Sequence, residues 1–292
     1  MKTLQLINDG TFSQGFYLQP VSNGCGCILD FGLPDRQTYS WKIAQHFSRY
    51  DMTRSGTFAA NPDGSRVYQN PGKRVTLTQE GSSVITLEVL GSAEYLHPRR
   101  LGEPWPHLLI EQDMTSDYID RYISLPFSMS LRNDYLRNCM GTENDPDLHC
   151  YQVSLFFVMQ NRDPLSPGFG DFFWFGIPGY DSRFDVRDCY IAMDSGKDDA
   201  SGKLIYCLGG AEWYSAHYDT DPKSGRWATV KADLLPFIRE ALTEAHKRGF
   251  MMKTSFKDLQ FRSMNLGAEV PGTFDGAVSL KDLSLQGILH EQ

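Results

Sequence analysis

The stretch Glu103-Pro104-Trp105-Pro106-His107-Leu108-Leu109-Ile110-Glu111-Gln112 holds three kinds of reactive side chain within one turn-length of chain. If it is extended, Trp105, His107, Leu109 and Glu111 share one face, and Pro106, Leu108, Ile110 and Gln112 share the other. An indole, an imidazole and a carboxylate on one face suit a ligand with an apolar C–H face and a rim of hydroxyls, as a sugar has. The plainer alternative is that Trp105 is a core aromatic after a proline-rich turn and that Glu111 pairs with an arginine.

Further candidates follow along the chain. In 150–158, Tyr151, Val153, Leu155 and Phe157 make an apolar face, while Gln152 lies on a softer face that lines a groove or meets solvent. Asp171-Phe172-Phe173-Trp174-Phe175-Gly176 is aromatic on both faces, so Trp174 is either a stacking platform or a core residue. Tyr180-Asp181-Ser182-Arg183 follows Pro178-Gly179 and reads as a loop, where Asp181 and Arg183 form either a fork for hydroxyls or a carboxylate, or a local ion pair. Gln260, Arg262 and Met264 are expected on one face of a late strand, with Glu269 just beyond; Arg262 and Glu269 form a second expected cluster.

Two reactions fit these residue types. A glycoside hydrolase needs two carboxyl groups, about 5–5.5 Å apart for retention or about 6.5–9.5 Å for inversion, and Glu111, Asp181 and Glu269 are the candidates. A lyase acting on uronic acids needs a cation to neutralise the substrate carboxylate, here Arg183 or Arg262, and a base, here His107 or Tyr180. No GxSxG elbow, P-loop, HExxH or clustered Cys/His motif is present. Asp194-Ser195-Gly196-Lys197-Asp198-Asp199 is rich in oxygen donors but lacks the order of a Ca²⁺ loop, so a solvated turn is expected there. No cofactor is expected.

The elements that must position these residues are mostly strands. The pieces 75–78 and 83–90 flank the turn Gln79-Glu80-Gly81-Ser82 as a hairpin, and strand-like runs recur at 108–112, 124–131, 151–159, 172–177, 190–194, 204–207, 226–230, 259–266 and 277–285. Gly, Pro, Asn and Asp punctuate the gaps. One helix is clear at about 233–248: Asp233 caps it, Leu235, Ile238, Leu242 and Ala245 share a stripe, and Gly249 stops it. A short second helix is expected over 115–123. Many strands without βαβ alternation predict an all-β, antiparallel jelly-roll β-sandwich, with residues 1–292 as a single domain carrying long loop insertions.

The last third carries an order of elements with a resemblance of its own. Trp227 on a strand, Asp233-Leu234-Leu235 opening the helix, Gly249, a strand ending Met264-Asn265-Leu266-Gly267-Ala268-Glu269, and Pro271-Gly272-Thr273-Phe274-Asp275 before Val278 to Leu285 together resemble the C-terminal half of galactose-binding-like jelly rolls. These occur as carbohydrate-binding modules and in glycan-active enzymes. The resemblance covers about the last 60 residues and implies fold more than function. It also leaves room for a structural Ca²⁺ at an unassigned position.

Composition bounds the partners. A formal charge of −8 lacks the basic field that nucleic acid or an anionic membrane requires. No stretch has the roughly 18 apolar residues of a membrane span, and no leader pattern is visible at the N-terminus, so the cytoplasm is the expected compartment. Six cysteines without a regular framework are expected as free thiols. The expected partner is an oligosaccharide or polysaccharide, with no nucleic acid and no membrane, and exposed sheet edges make a homo-oligomer plausible. The first expectation is a protein that binds a glycan in an aromatic and polar groove. The alternatives are a glycan-cleaving enzyme and a structural subunit.

Overall fold

The computed structural model describes residues 2–22, 24–29, 31–32, 39–195 and 200–289. Two nine-stranded sheets face one another. The first runs β16 (Ala228–Asp233), β11 (Pro126–Asn138), β18 (Phe274–Leu289), β8 (Ser82–Leu90), β7 (Lys73–Glu80), β6 (Arg66–Gln69) and β5 (Thr57–Ala60), with β1 (Lys2–Gln5) and β10 (Tyr122–Ser124) also pairing with β18. The second runs β14 (Tyr190–Met193), β15 (Leu204–Cys207), β13 (Phe172–Asp181), β12 (Gln152–Asn161), β17 (Leu259–Glu269), β9 (His107–Asp113), β4 (Tyr39–Ala44), β2 (Gly15–Leu18) and β3 (Cys27–Leu29). This is the jelly-roll β-sandwich that the strand pattern predicts. Pairing is antiparallel except between β13 and β15 and between β2 and β4.

Period-two alternation builds the core. Val153, Leu155, Phe157 and Met159 of β12 point inward and are fully buried, as are Leu108 and Ile110 of β9 and Leu266 and Ala268 of β17. Ile85, Leu87 and Val89 of β8 and Val278 and Leu280 of β18 answer from the facing sheet. Phe127 of β11 meets Phe157 edge-to-face with centroids 6.2 Å apart, one of the contacts that closes the layer. The hairpin turns at Gly81, whose φ of +80° suits a residue without Cβ.

The clear helix is α4 (Leu234–Lys247), preceded by α1 (Met52–Ser55), α2 (Gly91–Glu94) and α3 (Ala211–His217). The Asp233 carboxylate accepts from Leu235 N at 3.0 Å and from Leu125 N at 2.8 Å, so one side chain caps the helix and ties it to the joint between β10 and β11. Leu234, Ile238, Ala241, Leu242 and Ala245 form the buried stripe.

Local expectations are corrected in three places. The helix expected over 115–123 is a single 3₁₀ turn at Ile119–Arg121 that runs directly into β10, because β10 finds a ladder partner in β18. Tyr180 and Asp181 are the last residues of β13 rather than loop residues, since the ladder to β12 continues to Gln152. Trp227 lies just before β16 rather than on it. Of the segment 194–199, positions 196–199 lie outside the described residues.

Candidate functional site

The register of the second sheet gathers four of the sequence candidates, His107, Glu269, Gln152 and Asp181, in one row. On its outer face Glu269 of β17 stands opposite His107 of β9 on one side and Gln152 of β12 on the other, and Gln152 stands opposite Asp181 of β13. The same ladder places Leu109, Gly267 and Ser154 in the next row, and Lys42, Glu111, Asn265 and Phe156 in the row after that. Glu111 and Glu269 therefore share a face on adjacent strands with one row between them.

Two donors converge on Glu269 Oε2, the indole Nε1 of Trp105 at 3.1 Å and Gln152 Nε2 at 3.3 Å, and His107 Nε2 stands 3.3 Å from the same oxygen. Trp105 is fixed in turn. The Arg99 guanidinium lies 4.7 Å over its ring, Arg99 donates to the backbone oxygens of Glu103 and Leu148, and the His107 ring lies nearly parallel to the indole at 5.9 Å. Trp105 thus presents its N–H edge to Glu269, with Arg99 over a face.

Glu111 is more open. Its Oε1 lies 3.2 Å from Nε2 of His46, and the two side chains are 23% and 48% exposed, respectively. The His46 ring meets His107 edge-on at 5.9 Å, and Phe47 stands 5.8 Å from His107, so two Glu–His pairs sit back to back. His107 is 5% exposed, and its Nδ1 has no hydrogen-bond partner among the described residues. The same holds for Ser154 Oγ, in the row between the two carboxylates. Buried polar atoms without partners are uncommon and call for a ligand or water.

Asp181 ends the row. Its carboxylate takes a two-pronged contact from Arg183, at 3.0 and 2.7 Å, with Arg187 at 4.0 Å. The geometry is a local ion pair that closes the end of β13. Beside it Cys150 is buried, and desolvation pushes its thiol up to about 12.

Two expectations are corrected. Arg262 and Glu269 do not form a cluster: Arg262 donates to Asp113 at 3.0 Å, and Asp113 pairs with Ser263, six residues from the Glu269–His107 end of the ladder. Nor does Met264 share a face with Gln260 and Arg262. A bulge opposite Val158 and Met159 makes Arg262 an extra residue, so the alternation resets and Met264 points into the core. Tyr180 leans against the core edge, with its ring 6.1 Å from the buried Tyr151. Trp174 does lie on the outer face, in an aromatic patch with Phe156 and Phe172 at 6.4 and 5.8 Å, and its Nε1 donates to Ser201.

Sequence reasoning missed His46, Phe47, Arg99, Ser154 and Arg187. His46 comes 65 residues before Glu111 and reaches it through the β4–β9 pairing. The alternation Trp41-Lys42-Ile43 ahead of it was the signal that could have found the strand. No group of three or more His, Cys, Asp or Glu able to hold a metal ion occurs among the described residues. Likewise, none of the described helices is long and apolar enough to cross a membrane.

No protein-family model matches the chain, and no curated protein sequence is similar to it. Solved structures with a similar sandwich include a family 11 xylanase from Neocallimastix patriciarum, at 10% identity over 83% of this chain and 98% of that one, with a TM-score of 0.39. A family 12 xyloglucanase from Bacillus licheniformis matches at 10% identity over 79% and 97%, with a TM-score of 0.44. An endoglucanase from Rhodothermus marinus matches at 10% identity over 86% and 99%, with a TM-score of 0.41. The likeness is one of architecture.

Proposed function

We propose that the chain is a glycan-active enzyme that hydrolyses a saccharide laid across the outer face of the second sheet, with Glu111 and Glu269 as its working carboxylates. The observation that carries the reading is the pair of Glu–His contacts on one face of adjacent strands. Four residues of strand separate the two positions, so their Cα atoms are about 14 Å apart; that span excludes the close pair of a retaining enzyme and leaves the wider separation of about 6.5–9.5 Å, which both side chains would reach by turning toward one another over a bound sugar.

In this reading Glu269, held by Trp105 and Gln152 and faced by His107, is the base that takes a proton from the attacking water. The water oxygen bonds to the anomeric carbon as the glycosidic C–O bond breaks. Glu111, the more open carboxyl, gives its proton to the departing oxygen, and His46 restores it. Ser154 Oγ and His107 Nδ1 lie in the floor between the carboxylates and suit sugar hydroxyls. The Phe156, Phe172 and Trp174 patch extends the same face away from the carboxylates and suits stacking of further sugar units.

The test is a turnover screen of the purified chain against galactosides, xylan, xyloglucan, cellulose-type glucans and uronic-acid polymers. New reducing ends with inverted anomeric configuration, read by proton NMR, are expected. Ultraviolet-absorbing unsaturated ends would replace hydrolysis by elimination. Saturable binding without product would support the second reading, a binding protein, which is favoured by the Trp105 and Gln152 hydrogen bonds that hold Glu269 in place. No response from any polymer would sink both.

A further inference from the structure

We infer that the buried Lys73–Glu94 pair positions the site by holding the turn that presents His46 to Glu111. The inference rests on the reading of Glu111 and Glu269 as the reacting carboxylates. Lys73 opens β7 in the opposite sheet, Glu94 closes α2, and neither touches the outer face of the second sheet where the Glu–His pairs lie.

Both side chains are removed from solvent, at 0% and 1% exposure. Lys73 Nζ donates to Glu94 Oε1 at 2.5 Å and to the Tyr50 carbonyl at 2.7 Å. Glu94 Oε2 accepts from the backbone N–H of Arg49 at 2.5 Å and of Tyr50 at 3.4 Å. Asn70 Nδ2 adds a second donor to the Tyr50 carbonyl at 3.2 Å. The peptide groups at 49 and 50 are thus held on their donor and acceptor sides by buried charge.

The other side of the same turn is held by Gln45, which is 1% exposed. Its amide donates to the Gln19 carbonyl and to Asp51 Oδ1, each at 2.8 Å, and its oxygen accepts from Met52 N at 2.9 Å. Between these two anchors stand His46 and Phe47. Phe47 has a φ of +54°, a left-handed conformation that a phenylalanine keeps only where its surroundings over-determine it.

A buried ion pair is a poor source of net stability, because two well-packed apolar residues often serve as well. What apolar replacements would not supply is the set of bonds to the 49–50 peptide groups. Gly72 shows how closely the carboxylate is fitted: a Cβ there would lie 1.9 Å from Glu94 Oε1. Lys73 and Glu94 are therefore positioning residues for His46.

The double variant Lys73→Met with Glu94→Gln tests this, since it removes both charges and leaves neither one buried alone. Gly72→Ala is the second variant, displacing the carboxylate while keeping both charges, and it decides alone if the double variant does not fold. Nuclear Overhauser contacts between the His46 ring and the rings of His107 and Phe47 read the turn directly. They are expected in the unaltered chain and lost in folded variants, and kcat on a cleaved glycan is expected to fall about 10- to 100-fold with KM little changed. Unchanged ring contacts in a folded variant would overturn the inference. Because the ring contacts need no substrate, the clamp can stand or fall separately from the glycosidase reading.

Discussion

Glu269 lies directly opposite His107 across the β17–β9 ladder, and its Oε2 stands 3.3 Å from the imidazole Nε2. The same oxygen takes the indole N–H of Trp105, two residues before His107 on the approach to β9. One short segment thus brings both the indole N–H and the imidazole to the carboxylate, which makes Trp105 a support for Glu269.

Replacing Trp105 with Phe keeps an aromatic ring beneath Arg99 but removes the donor. The expected result is a kcat about tenfold lower, with the folded state retained, because a hydrogen bond to a charged group contributes about 1.5–3 kcal/mol. Steady-state kinetics beside a thermal melt separate the two effects. A variant as active as the unaltered chain would show that the N–H edge of Trp105 does not matter.

Asp181 behaves differently in this account. Its carboxylate is 1% exposed and carries Arg183 and Arg187. Asp181→Asn leaves two guanidinium groups without their counter-charge and is expected to cost about 3 kcal/mol of stability, with kcat of the folded fraction nearly unchanged. Denaturant unfolding and active-fraction kinetics check this. A large kcat loss at unchanged stability would return Asp181 to the reacting groups.

Asp275 sets part of the acid sensitivity. Burial raises its carboxyl, but the Ser92 N–H and hydroxyl and the Arg137 guanidinium outweigh this and hold it below the usual range. A depressed folded value means that its stabilisation is present above about pH 4 and fades as pH falls through the folded value. Asp275→Asn should be less stable than the unaltered chain near neutral pH, with the gap narrowing below about pH 4. Urea midpoints across that range measure it, and a constant gap would contradict the assignment.

The six cysteines are free thiols in the structure, and Cys150 and Cys207 are buried. Desolvation pushes both up to about 12, so neither offers thiolate near neutral pH. Alkylation under native conditions should mark the exposed Cys25 and Cys139 first and reach Cys150 and Cys207 only on unfolding. Mass spectrometry after timed quenching reads the order.

The architecture was legible because it rests on local pattern. The alternation Tyr151-Val153-Leu155-Phe157 fixes which face of β12 is core, and Asp233 with the Ile238–Leu242–Ala245 stripe fixes α4. The grouping of Trp105, His107 and Glu111 on one face was legible for the same reason. What was not legible depends on register between distant strands. No local feature says that Glu269 meets His107 or that His46 meets Glu111, and a bulge at Arg262 reverses the face of every residue after it. The first 70 residues were the least readable. Their strands are short and broken by turns, yet β4 delivers Lys42 and, just beyond its end, His46.

The most direct test of the central claim compares Glu111→Gln and Glu269→Gln with the unaltered chain on whichever glycan is cleaved. The account expects kcat about 10²- to 10⁴-fold lower in each variant, with glycan binding kept and the thermal midpoint of Glu111→Gln little changed, since that carboxylate sits in a half-open pair. Full turnover in either variant would contradict it.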